Sequence, residues 1–405
     1  MFRAVHSDRS GRLVVASDYA AAFFDGVTTR TLTDAVRLPS DAEVVPLSGN
    51  AAVGVDRAGR TQALGGARWA VGAVAPAGLL RTGLPACAAD GATPVAPRPY
   101  AAVGAGDDGE LVVAAIPVDA DAPAPPAVGD LSDRITAALR ERPSNRLLRQ
   151  LARCAREYRC RAAANAFASR DDCALPVGAA ANEQSLEGVS LRDLADAAPT
   201  DVAAFKPSSD EIAEVAISHL ERGGTMGTFG RACEGEPLLA VRAIEGAAVA
   251  IRGGTSRGTL HLETNGSDPT AMRRLADAGL DSMAIRLVSA RADTYEAIHR
   301  PSGYRFADVR AGIAAGSAAA LSLHVLVLPG LFDREAELEA FAALAGELPR
   351  ASAVVLSDLA VDPSRASRIA PRGGPPMGVA QAVAALRERF PGLRFASRSR
   401  PLARL

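Results

Sequence analysis

Residues 225–289 read TMGTFGRACEGEPLLAVRAIEGAAVAIRGGTSRGTLHLETNGSDPTAMRRLADAGLDSMAIRLVS. Three short runs rich in apolar residues begin, divide and end this stretch: TMGTFG (225–230), TLHLETNG (259–266) and SMAIRLVS (282–289). The two longer segments between them carry apolar residues at helical spacing: PLLAVRAIEGAAVAIR (237–252) and DPTAMRRLADAG (268–279). Strands that alternate with helices in this way pair in parallel. The stretch therefore predicts three neighbouring parallel strands joined by two helices.

The same alternation continues on both sides, over residues 174–405. Six strand–helix units are too few to close an eight-stranded barrel, so the predicted fold class is α/β, a partial (β/α)6 TIM-like barrel. In such barrels the chemistry takes place at the C-terminal ends of the strands. The further predicted strands are ALPV (174–177), LSLHVLVLPG (321–330), AVVLSDL (353–359) and a short tail strand LRFAS (393–397), and the further helices are SSDEIAEVAISHLERG (208–223), FADVRAGIAAGSAAA (306–320), DREAELEAFAALAGEL (333–348) and VAQAVAALRERF (379–390).

The chain before the barrel divides into two predicted regions. Residues 1–118 contain short strands separated by turns, which predicts a small β-rich domain. Residues 119–173 are predicted to be a linker and helical connector, because a segment rich in proline and alanine is followed by apolar residues at helical spacing. Ser132 and Ser144 are the predicted N-caps of this connector.

The composition excludes two classes of partner. The chain has 45 Lys and Arg against 46 Asp and Glu, a net charge of −1, which predicts no nucleic-acid-binding patch and no basic membrane-binding surface. No apolar run reaches the roughly 18 residues that span a bilayer, and the N-terminal residues lack the apolar segment of a signal peptide. We therefore expect a cytoplasmic protein.

Two motifs lie where predicted strands end. Residues 233–239 read CEGEPLL, and Thr264, Asn265 and Gly266 end the next strand. These motifs resemble the GGEPLL and TNG elements of the radical S-adenosylmethionine (SAM) superfamily. In that superfamily the first element binds the amino group of the methionyl moiety, and a carboxylate suits an ammonium group. The alternative for Glu236 taken alone is a helix start, where a carboxylate is also favoured.

The resemblance covers most of the chain and implies a residual SAM pocket. Further segments match one subgroup of the superfamily in order and spacing, and that subgroup also has an N-terminal β-rich domain. The implied pocket residues are Glu234, Gly235, Glu236, Thr264, Asn265 and Gly266. The further matching segments are 145–154, 278–282, 289–290, 299–304, 328–330 and 333–335.

The cluster motif of the superfamily is replaced in this chain. Radical SAM proteins place CxxxCxxC after the first barrel strand, where three thiolates hold a four-iron four-sulfur cluster. The corresponding positions here are Ala181, Ser185 and Gly188, and none of them supplies a thiolate. The resemblance thus implies a radical SAM fold with a degenerate iron–sulfur site.

The other cysteines are not expected to replace the missing ligands. Cys154 and Cys160 are predicted on one helix, pointing to different sides. Cys173 is predicted just before the first barrel strand, at the opposite end of the barrel from the chemistry. Cys233 is predicted at the mouth of the second strand, but one thiol does not hold a cubane. We therefore predict no metal site.

Three functions follow from the resemblance and stay open. We favour a non-catalytic pseudoenzyme that acts as a partner of an active radical SAM relative, as a scaffold, or as a binder of a peptide or small molecule. The second is an active radical enzyme whose cluster is held by Cys233 together with residues of a partner chain. The third is a cluster-free protein that binds SAM. The favoured hypothesis assigns no catalytic residue, expects no four-iron four-sulfur cluster and leaves SAM as the cofactor to test.

Overall fold

The structure is a computed structural model that describes residues 1–88, 93–119, 130–184, 202–230, 235–348, 353–369 and 372–402. The strands are β1 (Arg3–Ser7), β2 (Leu13–Phe24), β3 (Thr29–Thr31), β4 (Val36–Arg37), β5 (Glu43–Ala51), β6 (Val53–Val55), β7 (Thr61–Ala63), β8 (Trp69–Val74), β9 (Leu79–Arg81), β10 (Leu84–Pro85), β11 (Tyr100–Ala105), β12 (Leu111–Val113), β13 (Ala115–Pro117), β14 (Asp172–Ala174), β15 (Met226–Phe229), β16 (Thr259–Thr264), β17 (Ser282–Leu287), β18 (Ala320–Val327), β19 (Ala353–Asp358) and β20 (Arg394–Ala396). The helices are α1 (Leu131–Glu141), α2 (Arg146–Glu157), α3 (Arg161–Ala168), α4 (Ser209–Glu221), α5 (Val241–Gly254), α6 (Pro269–Asp277), α7 (Ala292–His299), α8 (Phe306–Ala315), α9 (Glu335–Gly346) and α10 (Val379–Arg389), with 3₁₀ turns at Pro237–Ala240 and Pro363–Arg368.

Strands β14 to β20 form one seven-stranded sheet in which the strands follow each other in chain order. Every neighbouring pair is parallel, and at least one of the helices α4 to α10 lies between each two strands. A parallel pair requires such a crossover connection. The predicted α/β class with a partial barrel is therefore confirmed, and the tail strand β20 adds a seventh strand beside β19.

The two faces of this sheet differ in polarity because successive side chains of a strand point to opposite faces. On β18, Leu321, Leu323, Val325 and Val327 are buried in the core beneath the helices, whereas the residues between them are half-buried. His324 on that second face lies beside Arg286 of β17 in the strand register. We call this second, more polar face the inner face.

Residues 3–117 form antiparallel sheets. Strands β1 to β8 and β10 to β12 belong to an 11-stranded sheet, and β9 pairs with β13 in a separate two-stranded sheet. These sheets agree with the β-rich character that the sequence predicts for this region. The region boundaries at residues 118 and 173 stay predictions.

The connector is divided into three helices. Helix α2 ends at Glu157 and α3 begins at Arg161, so the prediction that Cys154 and Cys160 share one helix is wrong. Arg159 between them has a φ of 51°, in the left-handed region that interrupts a right-handed helix. Cys160 is instead the N-cap residue of α3.

The two predicted N-caps of the connector are also wrong. Ser132 lies inside α1, whose N-cap residue is Asp130, and Ser144 precedes the N-cap of α2, which is Asn145. The Asn145 side chain accepts a hydrogen bond from the backbone N–H of Leu148 at 2.8 Å. Asparagine and serine are nearly equal as N-caps, so the sequence alone does not decide between adjacent candidates.

The first barrel strand begins earlier than predicted. Strand β14 covers Asp172–Ala174 rather than residues 174–177, so Cys173 lies within the strand and is completely buried. The Asp172 carboxylate, which accepts a 2.7 Å hydrogen bond from the Thr228 hydroxyl, attaches this strand to β15. Burial raises the pKa of the Cys173 thiol.

Within the described residues, no helix has the length and apolar character needed to cross a membrane.

Candidate functional site

The loop after β14 contains the three positions that the resemblance predicts for cluster cysteines. Ala181 is exposed, whereas the next two residues, Asn182 and Glu183, are half-buried. Ser185 and Gly188 lie outside the described residues, as does Glu234 of the predicted SAM pocket. The structure therefore locates the beginning of the degenerate loop.

Glu183 attaches this loop to the mouth of the barrel, by which we mean the C-terminal ends of strands β14 to β19. Its Oε2 accepts hydrogen bonds from the Tyr304 hydroxyl at 2.7 Å, from His299 Nδ1 at 3.3 Å and from Asn265 Nδ2 at 3.4 Å. The Glu183 side chain is only 8% exposed. His299 ends helix α7, an element that the sequence patterns did not predict, so sequence reasoning missed this cluster.

The hydrogen bonds of His299 define the position of its proton. Its Nε2 accepts from the backbone N–H of Val288 at 3.2 Å, so the neutral ring carries its proton on Nδ1, which faces Glu183. The ring stacks on Tyr295 with 4.1 Å between centroids. The Tyr295 hydroxyl in turn lies 3.0 Å from the hydroxyl of Tyr304. Glu183 is thus the acceptor at the centre of a buried hydrogen-bond network.

The network keeps Glu183 ionised. Burial opposes ionisation of this carboxyl, but the hydrogen bonds donated by His299 and Tyr304 and the charge of Arg286 outweigh burial and hold its pKa below the usual value. Burial, followed by the nearby charge of Glu183, raises the pKa of Tyr304. Tyr304 therefore stays protonated and donates to a carboxylate, the stronger kind of hydrogen bond.

Asn182 provides a second attachment for the same loop. Its Oδ1 accepts from Asn265 Nδ2 at 2.9 Å, and its own Nδ2 donates to the Ser267 hydroxyl at 2.9 Å. Its backbone carbonyl accepts from the N–H of Ser302 at 2.7 Å. The start of the loop is therefore bonded both to the end of β16 and to the segment after α7.

Glu236 lies deeper, between the end of β15 and the end of β16. Its Oε1 accepts from the Leu238 N–H at 3.0 Å and from the Thr264 hydroxyl, and its Oε2 accepts from the Asn265 N–H at 3.0 Å. The residue is 5% exposed. Burial raises the pKa of its carboxyl to about 7, although the three hydrogen bonds oppose that shift. Both oxygens of Glu236 are thus engaged by the protein itself.

Several members of the predicted SAM pocket do come together. Thr264 and Asn265 bind Glu236, and the Gly266 N–H donates to the Thr264 hydroxyl at 3.1 Å. A Cβ on Gly235 would lie 1.9 Å from the carbonyl oxygen of Ala180, so only glycine permits this approach of the two loops. The role of these residues in binding SAM stays a prediction.

The inner face adds polar groups that the sequence patterns did not single out together. His324 Nε2 lies 2.6 Å from the Ser357 hydroxyl, and its Nδ1 lies 4.0 Å from Glu263 Oε2. Arg286 donates to the carbonyl of Gly230 at 3.4 Å. One feature of the sequence could have pointed to these groups: ionisable residues lie inside otherwise apolar strands. Such residues are rarely buried unless they are paired.

The N-terminal sheets contact the mouth through a buried arginine. Arg81 at the end of β9 is 0% exposed, and its guanidinium donates to the carbonyls of Leu359 and Tyr100. Its backbone N–H donates to Asp358 Oδ1 at 3.1 Å, and the two side chains lie 3.8 Å apart. Burial raises the pKa of Asp358 to about 6, against the effect of the Arg81 charge. The C-terminal end of β19 is therefore covered by the β-rich region.

The residues at the three positions predicted for cluster ligands do not fit an iron–sulfur cluster. Alanine, serine and glycine stand at the three ligand positions, and such clusters are held by thiolates. Among the described residues, no group of three or more His, Cys, Asp and Glu side chains is arranged to hold a metal ion. We therefore derive no reaction step through a cluster.

Comparison with known proteins gives structural similarity alone. No protein-family model and no curated protein matches the chain. A radical SAM methyltransferase from Sphaerobacter thermophilus matches with a TM-score of 0.38 and 16% identity, over 56% of this chain and 64% of the methyltransferase. SuiB from Streptococcus suis, solved bound to S-adenosylmethionine, matches with a TM-score of 0.41 and 9% identity, over 67% of this chain and 61% of SuiB.

The matches also include a protein that is not described as a radical SAM enzyme. An enolase from Mycobacterium smegmatis matches with a TM-score of 0.32 and 15% identity, over 89% of this chain and 74% of the enolase. This chain spans less than two thirds of the methyltransferase and of SuiB. The fold assignment of this chain rests on its own parallel sheet.

Proposed function

We propose that this chain is a non-catalytic relative of the radical SAM enzymes whose barrel mouth binds a partner protein or a small ligand. One observation carries the proposal: the loop that would hold the cluster lacks thiols and is bonded to the barrel mouth by its own side chains. Glu183 accepts three hydrogen bonds there. These contacts hold the described start of the loop, residues 181–184, without a cluster.

The environment of Glu236 argues against the cluster-free SAM-binding hypothesis. Thr264, Asn265 and Leu238 already occupy three of the roughly four lone-pair sites of this carboxyl, which leaves a methionyl ammonium group at most one hydrogen bond to it. A pKa of about 7 also leaves a large fraction of Glu236 neutral at pH 7, and a neutral carboxyl is a weaker partner for a cation. Tight binding of SAM through this side chain is therefore not expected.

The hypothesis of an unusual cluster depends on Cys233, which lies outside the described residues. A single thiolate in this chain would leave the remaining ligands to a second chain. That requirement makes the hypothesis testable, because iron bound in this way would depend on Cys233 and on assembly with the partner.

The first experiment measures iron, sulfide and the low-temperature EPR spectrum of the purified chain after anaerobic reconstitution. The matched variant carries Ala181→Cys, Ser185→Cys and Gly188→Cys, which restores CxxxCxxC spacing on the same loop. We expect no stoichiometric iron in the wild-type chain and a gain of iron in the triple variant. About four irons per wild-type chain, with a thiolate-type spectrum, would overturn the proposal, and loss of that iron in Cys233→Ala would establish the second hypothesis instead.

Calorimetry with SAM completes the test. We expect no saturable heat at millimolar SAM for the wild-type chain. Saturable binding that is lost in Glu236→Gln but kept in the exposed control Glu339→Gln would support the cluster-free SAM-binding hypothesis in place of our proposal.

A further inference from the structure

The opposite end of the barrel contains a cavity that is separate from the mouth. It has a volume of about 120 Å³ and lies where strands β17 to β20 begin, since Ser282, Ala320, Ala353 and Arg394 are the first residues of those strands and line it. Residues 398–402, which follow β20, line its other side. We call this end of the barrel the floor.

The tail segment is held across the floor by specific contacts. The Leu402 N–H donates to the Thr259 hydroxyl at 2.9 Å, at the beginning of β16. Before the cavity, the Ser397 N–H donates to Asp119 Oδ2 at 3.0 Å. Arg398 and Arg400, which lie between these two anchor points, are therefore placed against the cavity by the backbone.

Positive charge predominates around this cavity. Arg394, Arg398 and Arg400 line it, and none of the described lining residues is acidic. Arg398 binds Asp171 at 3.1 Å and Arg400 binds Asp119 at 3.0 Å. Two carboxylates thus neutralise two of the three arginines from outside the cavity, which leaves a net positive charge at its wall.

Buried donors at the cavity have no acceptor within the described part of the chain. They are the Nε–H groups of Arg398 and Arg400 and the hydroxyl of Ser399. A buried donor without a partner destabilises the fold, so native proteins rarely leave several together. Ser282 and Ser322 also line the wall, but their hydroxyls already contact His261 Nδ1 at 2.7 Å and the Met283 carbonyl at 3.4 Å. The unmet groups at the wall are therefore two arginine N–H groups and one hydroxyl.

We propose that the floor cavity binds a small tetrahedral oxyanion, either inorganic phosphate or sulfate or the phosphate group of a larger molecule. Such an anion brings several acceptor oxygens and no obligatory donor, which complements two arginines and the Ser399 hydroxyl. A cavity of about 120 Å³ exceeds the roughly 30 Å³ that one water takes up in the liquid. The site does not depend on the function proposed for the mouth.

The test is isothermal calorimetry of the full chain with inorganic phosphate, sulfate and phenyl phosphate at constant ionic strength. We expect saturable phosphate binding in the wild-type chain and a loss of affinity of about ten-fold or more in Arg398→Gln and Arg400→Gln. Arg389→Gln is the matched control, because Arg389 is an arginine on α10 that binds Glu339 and does not line the cavity. Phenyl phosphate that binds as well as phosphate would identify a phosphate group on a larger molecule as the ligand, and binding of phosphate and sulfate alone would identify the free anion.

A second variant keeps the test valid if the arginine variants fail to fold. Ser399→Val leaves both arginine–aspartate pairs in place, removes one donor and adds apolar volume at the cavity wall. Without phosphate, we expect the unfolding temperature of Ser399→Val to equal that of the wild-type chain. We also expect its affinity for phosphate to be about ten-fold lower. Absence of saturable binding in the wild-type chain, or equal binding in all variants and the control, would overturn the proposal.

Discussion

The mouth and the floor of this barrel use buried polar groups in opposite ways. At the mouth, Glu183 and Glu236 accept hydrogen bonds from neighbouring loops and strands. At the floor, Arg398 and Arg400 each bind one carboxylate but retain a buried Nε–H without an acceptor in the described chain. Internal bonding of these two carboxyls stabilises a fixed structure around them, whereas several unmet donors that line one cavity indicate a place for an anion. The floor therefore offers a ligand chemistry of its own, at the end where barrels of this type do not usually place it.

The contrast is tested most strongly at Arg81, where the mouth meets the β-rich region. Removing one member of a buried charged contact costs about 3–5 kcal/mol, so Arg81→Met should lower the free energy of unfolding by about that amount in urea titrations. The control Arg98→Met changes an arginine that binds Glu43 at a more exposed position and should cost about 1 kcal/mol or less. If Arg81→Met lowered the free energy of unfolding no more than Arg98→Met does, the contacts of Arg81 would not stabilise the mouth.

The second prediction concerns the pH dependence of stability through Glu236. Its pKa is raised from 4.5 to about 7 in the folded chain, so the folded state binds the proton more tightly than the unfolded state. The stabilisation from this group is complete below pH 4.5 and is lost as the pH rises to about 7, by about 3 kcal/mol in total. Urea titrations at several pH values should show this decrease in the wild-type chain relative to Glu236→Gln. If the free energy of unfolding changed with pH in the same way in both proteins, the raised pKa of Glu236 would be contradicted.

The third prediction concerns the loop attachment by Glu183. Glu183→Gln replaces a carboxylate that faces hydrogen-bond donors with an amide that can place its own N–H groups against them. We expect it to lower the free energy of unfolding by about 1–3 kcal/mol, the cost of an unmatched buried donor. We also expect faster amide hydrogen exchange at residues 181–184, because the loop loses its attachment to Tyr304 and His299. The neighbouring exposed residue provides the control, Gln184→Ala, which should leave both measurements close to wild type. Unchanged exchange in Glu183→Gln would mean that Asn182 alone holds the loop.

The smallest expected effect is at the floor. Ser399→Ala removes a buried hydroxyl that has no partner in the described chain, so without phosphate it should change stability by about 0.5 kcal/mol or less. With phosphate present, the wild-type chain should gain more thermal stability than the variant, because ligand binding to the folded state stabilises it. A large loss of stability without phosphate would show that the hydroxyl serves the fold rather than a ligand.

The elements that follow simple periodicity are the ones that the sequence predicts well. The parallel strands β15 to β19 and helices α4, α6, α9 and α10 occur close to their predicted positions, because alternating apolar patterns reflect burial directly. Helix α7 was missed, and with it His299 at the mouth. Its eight residues, ADTYEAIH, are too few to show a helical period against polar neighbours.

Positions set by competing local interactions were predicted less well. The caps of the connector helices moved to Asp130 and Asn145, and the first strand moved to include Cys173. In each case several residue types of similar propensity compete, and contacts made by distant residues decide between them. The bond between Asp172 and Thr228 is such a contact, since the two residues lie 56 positions apart in the chain.

The sequence by itself determined the α/β class, the parallel order of the barrel strands and the absence of thiols at positions 181, 185 and 188, because periodicity and residue identity depend only on the order of residues. The tertiary structure alone decided how those residues are used. It brought Glu183 to Tyr304 and His299, covered the end of β19 with Arg81, and placed Arg398 and Arg400 at the floor. Hydrogen bonding and burial depend on which distant segments meet, and folding of the whole barrel is what brings them together.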